Sequence, residues 1–253
     1  MPIGLENLTD AAYRLAAMNV LAFDTCFDGC SVCVAQRRDG AVVELTSAFE
    51  RFEMGHAERL VPMIDEVMRR AGVAFEDIDR LAVTVGPGTF TGTRIGVAAA
   101  RGLALATGIA VVGVSSLAVM AEVALRELGP PAEDETLAIA VDARRGEAYV
   151  QLFGANATHA KTPPQLMRIE DAARLGGDGP LIVAGSAAGA VAAAAASAGR
   201  SATPRLPDLL PEAAALARMA MELVPGEAPI VPLYLRPPDA KPQDGKAIAR
   251  AQP

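Results

Sequence analysis

A short apolar strand ends in aspartate and folds back, and further on another strand runs straight into glycine. This order occurs twice along the chain, and the doubling constrains the fold more than any single motif does. In the first half, Val20-Leu21-Ala22-Phe23 leads to Asp24-Thr25, and residues 31–36 and 41–46 read as two more strands around a turn at Asp39-Gly40. Three antiparallel strands therefore open the core. A helix is expected from His56 to Ala71, because Leu60, Ile64, Val67 and Ala71 share one face and Gly72 is placed to end it. A buried strand at 81–85 then enters the loop Gly86-Pro87-Gly88-Thr89-Phe90-Thr91-Gly92, followed by a helix to about Thr107, a strand at 111–114 and a helix at 116–128. Beyond Pro130-Pro131 and Glu133-Asp134-Glu135 the order returns in weaker form. Residues 137–141 end in Asp142, the chain turns at Arg145-Gly146 and comes back over 147–153, and 181–184 runs into Gly185-Ser186 and an alanine-rich helix. The likeness is architectural, not residue for residue, and it predicts a duplicated α/β unit.

With 253 residues, 51% of them hydrophobic, the chain can bury a substantial core. A net charge of -7 disfavours a direct grip on a polyanion, since phosphate contacts need clustered Lys and Arg. Any nucleic acid is then expected to be held by another subunit. No apolar run reaches the roughly eighteen residues of a membrane span, and Glu6 and Asp10 interrupt the stretch where a secretory signal would lie. A cytoplasmic protein with no membrane contact is expected. Residues 1–17 precede a second methionine, Met18, and read as a dispensable leader. Residues 18–128 and 129–236 read as two lobes, and 237–253, after Pro237-Pro238, as a loose tail.

The loop from Gly86 to Gly92 is the most informative stretch. Three glycines with threonines between them at the start of a helix can cradle an anion with backbone amides. Equally, they can make a tight strand-to-helix turn, with Thr91 as the helix cap. No Lys follows Gly92, so this is not a Walker loop, and the last glycine comes one residue late for a dinucleotide fingerprint. Asp24 and Thr25 could face nucleotide phosphates and magnesium, or the aspartate could simply cap its own turn. Cys26, Cys30 and Cys33 have the C-x-x-x-C-x-x-C spacing that holds an iron–sulfur cluster in radical enzymes using S-adenosylmethionine. The alternation Ser31-Val32-Cys33-Val34-Ala35 fixes Cys33 in a strand instead, and small buried thiols are the simpler reading. His56 and His159 are the only histidines, and four residues after His56 stands Leu60, so that helix supplies no pair of histidine ligands. His56 is expected to be an exposed helix-start residue. No G-x-S-x-G nucleophile elbow occurs. The small residues Gly96, Ala98, Ala99, Ala100, Gly102, Ala104 and Ala106 would let another helix approach closely, from within the chain or from a partner.

Five stretches in order resemble the TsaB (YeaZ) family: 20–25, 56–64 (His-Ala-Glu-Arg-Leu-Val-Pro-Met-Ile), 86–96 around the glycine loop, 113–117, and 142–149 (Asp-Ala-Arg-Arg-Gly-Glu-Ala-Tyr). The resemblance implies an α/β fold of two actin-like lobes, of the actin, Hsp70, sugar-kinase and RNase H-like type. It also implies a noncatalytic dimerising and activating subunit of the bacterial complex that makes threonylcarbamoyladenosine in tRNA. TsaD, a paralogue, would carry the metal and transfer the threonylcarbamoyl group to the adenosine next to the anticodon. TsaE, an ATPase, would join the pair, and tRNA would be met only through the complex. No catalytic residue, metal or tightly bound cofactor is implied for this chain; ATP or ADP in the complex, and a homodimer when the partner is absent, are left open. Asp24, Thr25, Gly86, Gly88, Thr89, Thr91 and Gly92 are the candidate nucleotide-facing residues. Leu60, Met63, Ile64, Val67, Ala99, Ala100 and Gly102 are the candidate partner surface, as the helices from His56 and Gly92 would pack on the equivalent pair of TsaD. An older peptidase label of the M22 group finds no zinc ligands or nucleophile here. The cysteine-rich turn after Asp24 and the leader depart from the family pattern. The alternative from another class is an independent actin-like ATPase or kinase.

Overall fold

The structure, a computed structural model, describes residues 17–39, 41–177 and 179–236. The expected leader, apart from Ala17, and the expected tail lie outside the described residues. Two five-stranded sheets organise the molecule. The first contains β1 (Met18–Asp24), β2 (Cys30–Arg38), β3 (Ala41–Glu50), β4 (Arg80–Thr84) and β5 (Ala110–Val114) in the order β3-β2-β1-β4-β5. The second contains β6 (Thr136–Asp142), β7 (Glu147–Phe153), β8 (Gln165–Arg168), β9 (Leu181–Ala184) and β10 (Ala202–Arg205), and read from β8 its order is β8-β7-β6-β9-β10. In each sheet the first three strands pair antiparallel and the last two join in parallel. The expected duplication is therefore a duplication of topology. The molecule is an α/β protein of two actin-like lobes.

β1 is buried along its whole length, as its unbroken apolar run requires of a central strand. Its side chains alternate between two cores: Val20 and Ala22 join one, Leu21 and Phe23 the other. Beneath the second core lie α1 (His56–Ala71) and α2 (Phe90–Thr107). Gly72, in the left-handed region at φ 65°, ends α1 as expected, its N–H reaching Arg69 O at 3.2 Å.

The other core is shared between the lobes. It joins Val20 and Ala22 of β1, Leu117 and Met120 of α3 (Ser116–Leu128), Leu137 and Ile139 of β6, and Leu216 and Ala220 of α6 (Ala213–Glu222). Two shorter helices, α4 (Ile169–Ala172) and α5 (Ala188–Ser197), cover the far side of the second sheet. The helices of the shared core cross over: α3 packs on β6 and β7, while α6 returns to β1 and β2. Two buried arginines of the first lobe hold the end of α6, where helix carbonyls lack partners. Arg37 Nη1 donates to Met221 O at 3.3 Å, and Arg80 Nη1 donates to Leu223 O at 2.6 Å and to Ala220 O. Among the described residues, no helix is long and apolar enough to cross a membrane.

Candidate functional site

Between the lobes lies a cleft of about 310 Å³. Phe27, Asp28, Gly88 and Thr89 form one wall; Val141 to Arg144, Tyr149 and Ser186 form the other, with Leu209 and Leu210. Of the seven residues expected to face nucleotide, only Gly88 and Thr89 line it.

The remaining five do not line it. Asp24 is 2% exposed, and its carboxylate accepts from the Thr84 hydroxyl and, at 3.2 Å, from Cys26 N. Burial pushes its pKa up from 3.8 to about 6, against the pull of those hydrogen bonds. Thr25 donates its hydroxyl to Gly92 O at 2.7 Å. Gly86, at φ 104°, accepts from Ser116 N at 2.9 Å. Thr91 is exposed.

The glycines are explained by close approach to the turn after β1. A Cβ on Gly88 would strike the Cys26 carbonyl, and one on Gly92 would strike the Thr25 carbonyl. Thr89 N is spent on Cys26 O at 2.7 Å, and Gly92 N on Thr89 Oγ1 at 3.1 Å. Two amides that an anion cradle would offer are thus already bonded within the chain, and the arrangement is that of the tight turn. The cap of α2 is Thr89, not Thr91, and the helix starts at Phe90 instead of Gly92, so the last residues of the expected loop form its first turn.

The three cysteines are buried and divided between two cores. Cys33 and Cys26 belong to the shared core, Cys30 to the core under α1 and α2. Cys30 and Cys33 sit in β2 on opposite faces of the sheet, which does not fit the three ligands of one cluster. Burial pushes the Cys30 and Cys33 thiols up to about 12 and raises Cys26 further. His56 is corrected from exposed to buried, at 6% exposure. Its Nε2 donates to Phe27 O at 2.8 Å and its ring lies edge-on to Phe52, the centroids 4.8 Å apart. His159 is exposed on the second lobe beside Thr158.

The expected partner surface divides in two. Leu60, Met63 and Val67 on α1, and Ala100 on α2, are buried against the first sheet and hold the lobe together, while Ile64 is buried in the same core and also lines the groove beside it. Ala99 is half-buried and Gly102 exposed, and both line an open groove of about 730 Å³ between α1 and α2 with Val61, Met68, Phe75 and Leu103. Val61 is 65% exposed at its rim, and Leu105, farther along α2, is 90% exposed.

The second-lobe wall of the cleft was not singled out from sequence as site residues. Asp142 Oδ1 accepts from Arg144 N at 2.8 Å, and Ser186 Oγ accepts from Asp142 N at 3.0 Å. Arg144 and Arg145, at φ 65° and 59°, hold a tight left-handed turn. The strand-end aspartate and the strand-to-glycine step that marked Asp24 and Gly86 would have pointed to Asp142 and Ser186 too.

A family model described as "TsaD: tRNA N6-adenosine threonylcarbamoyltransferase" matches residues 50–220. A protein of Escherichia coli named TsaB, for tRNA threonylcarbamoyladenosine biosynthesis, is 40% identical over 132 residues, covering 52% of this chain and 53% of its own. The chain thus spans about half the length of the curated relatives it matches in that group; one from Haemophilus influenzae is 37% identical over 52% of each chain. An uncharacterised Mycobacterium tuberculosis protein is 33% identical over 232 residues, 90% of this chain and 97% of its own. Among solved structures, YeaZ from Pseudomonas aeruginosa superposes with a TM-score of 0.68 at 31% identity, over 86% of this chain and 100% of that one.

Proposed function

The chain belongs to the family that the TsaD model describes, within its TsaB/YeaZ group, and from that premise we propose that it is a noncatalytic activating subunit in tRNA threonylcarbamoyladenosine biosynthesis. It dimerises with a TsaD-type paralogue, which transfers the threonylcarbamoyl group to the adenosine next to the anticodon. TsaE joins the pair in the cytoplasm, and tRNA is met through the complex. Nucleotide, ATP or ADP, belongs in this reading to the assembled complex and not to the glycine loop of this chain.

One observation carries the reading: the open groove between α1 and α2. Two long helices lie side by side with small residues, Ala99 and Gly102, at the groove and Val61 exposed at its rim. A partner helix can approach such a surface closely and gain apolar contact without displacing bulky side chains. Against the rival of an independent ATPase or kinase stands Asp24, whose carboxylate is turned inward and bonded to Thr84 instead of aimed at the cleft.

Reconstitution tests the proposal. Purified TsaD, TsaE and tRNA are assayed for modified adenosine with and without this chain, and modification is expected only with it. Full modification in its absence, or ATP turnover by the isolated chain, overturns the reading.

A further inference from the structure

From the end of α6 to Arg236 the described chain takes up no further regular structure, yet it is pinned at successive points. Arg80 holds Leu223 O at 2.6 Å. Ile230 lies over β5 so closely that a Cβ on Gly113 would stand 3.1 Å from its Cγ2. Leu233 N donates to Val85 O at 2.7 Å, and Leu233 O would stand 3.0 Å from a Cβ on Gly86. Arg94 donates its Nε–H to the Tyr234 hydroxyl at 2.6 Å while its guanidinium lies 3.7 Å from the Phe90 ring centre. All these contacts are to the first lobe. The next is to the second: Arg236 Nη2 meets Glu147 Oε2 at 2.6 Å, with the two side chains 23% and 32% exposed.

We propose that residues 224–236 form a clasp that fixes the angle between the lobes, with the Arg236–Glu147 pair as its latch. The argument is one of reach. Tyr234 is tied to α2 only two residues before Arg236, so Arg236 cannot follow the second lobe by more than the length of its own side chain. Glu147 cannot yield either, because its backbone closes the left-handed turn, Ala143 N donating to Glu147 O at 2.9 Å and Glu147 N to Arg144 O at 3.1 Å. Opening the lobes must break the latch. The clasp grips Val85 and the first turn of α2 directly beside Gly88 and Thr89, so the latch also sets the width of the cleft. Gly86 makes room for this segment, and Gly113 makes room for Val85 and, beside it, for Ile230 of the segment.

The test uses the isolated full chain and so stands apart from the partner reading. Spin labels on Ser47→Cys and Ala190→Cys, one in each lobe, report the distance distribution between lobes, the native thiols being buried. Hydrogen exchange at the Leu233 amide reports the clasp. Arg236→Ala and Glu147→Ala are each expected to broaden the distribution and to speed exchange about two- to five-fold, the range of a partly exposed ion pair. The charge swap Arg236→Glu with Glu147→Arg is expected to restore both. An unchanged distribution in both single variants overturns the proposal even if exchange quickens, for the segment would then only cover the edge of β5. Failure of the swap to restore either readout overturns the latch.

Discussion

Asp24 shows what burial does to a residue that sequence alone would send to a phosphate. Its neighbours donate to the carboxylate, but the loss of water outweighs them, and the group holds its proton up to about pH 6 instead of 3.8. The folded chain therefore binds this proton more tightly than the unfolded chain does. Stability on this account is highest below about pH 4, falls as pH rises to about 6, and is flat beyond, the whole change being about 3 kcal/mol. Asp24→Asn keeps the shape and an acceptor for Thr84 without the charge. It is expected to stabilise the chain by about 1 kcal/mol or more at pH 7.5 and to gain nothing at pH 4. Denaturant titrations of parent and variant at the two pH values check this; an equal difference at both would show that charge burial is not the cause. His56 teaches a related lesson. It stands four residues before Leu60, on the stripe that continues through Ile64 and Val67, so the exposed position expected of it ignored a periodicity that puts it on the buried face.

At the scale of elements, the start of α2 offers a sharp comparison. Thr89 and Thr91 lie two residues apart, yet only Thr89 caps the helix, its Oγ1 accepting from Gly92 N at 3.1 Å. Thr89→Ala is expected to cost about 1 kcal/mol, and Thr91→Ala, at an exposed position, within about 0.5 kcal/mol of nothing. Thermal melts of the two variants decide it, and an equal loss in both would put the cap elsewhere. The strands and helices through Leu128 are legible because short apolar runs mark the central strands β1 and β4, Leu60, Ile64 and Val67 recur at helical spacing on α1, and Gly72 and Gly86 punctuate them. The second lobe was fainter: β8 and β10 have four residues each, too few for alternation to register. α6 went unread although Ala213, Leu216, Ala217 and Ala220 fall at helical spacing, since alanine marks a buried face weakly. Its return to the first sheet was not legible at all, for the chain order says nothing of which sheet a late helix covers. The glycine loop was located correctly, but its meaning depended on what lies against it, and the Thr25 and Cys26 carbonyls come from residues far earlier in the chain.

At the scale of the whole molecule, the helices that build the first lobe also present it, and the two tasks fall to different faces of each helix. On α1, Leu60, Met63 and Val67 are committed to the core, so a charge there attacks the fold, and Ile64 is buried with them while lining the groove, whereas Val61 is exposed. On α2, Gly102 is exposed, its missing side chain would meet nothing within 4 Å, and its φ is not in the left-handed region. Substituting it in a helix interior should not weaken the lobe, as glycine is itself costly there by about 1 kcal/mol relative to alanine. Gly102→Arg and Val61→Glu are therefore expected to melt at or near the parent temperature, while Met63→Glu, at a site with no exposure, is expected to unfold the lobe. If the groove is where the TsaD-type partner sits, the two folded variants bring an unpaired charge into a desolvated contact, at a cost of about 2–5 kcal/mol, which lowers affinity by more than ten-fold. Binding measured by titration and modified adenosine measured in the reconstituted system should then fall together in Gly102→Arg and Val61→Glu. Folded variants that bind and activate like the parent would move the partner to another face of the molecule, and would leave the groove between α1 and α2 without the role proposed for it.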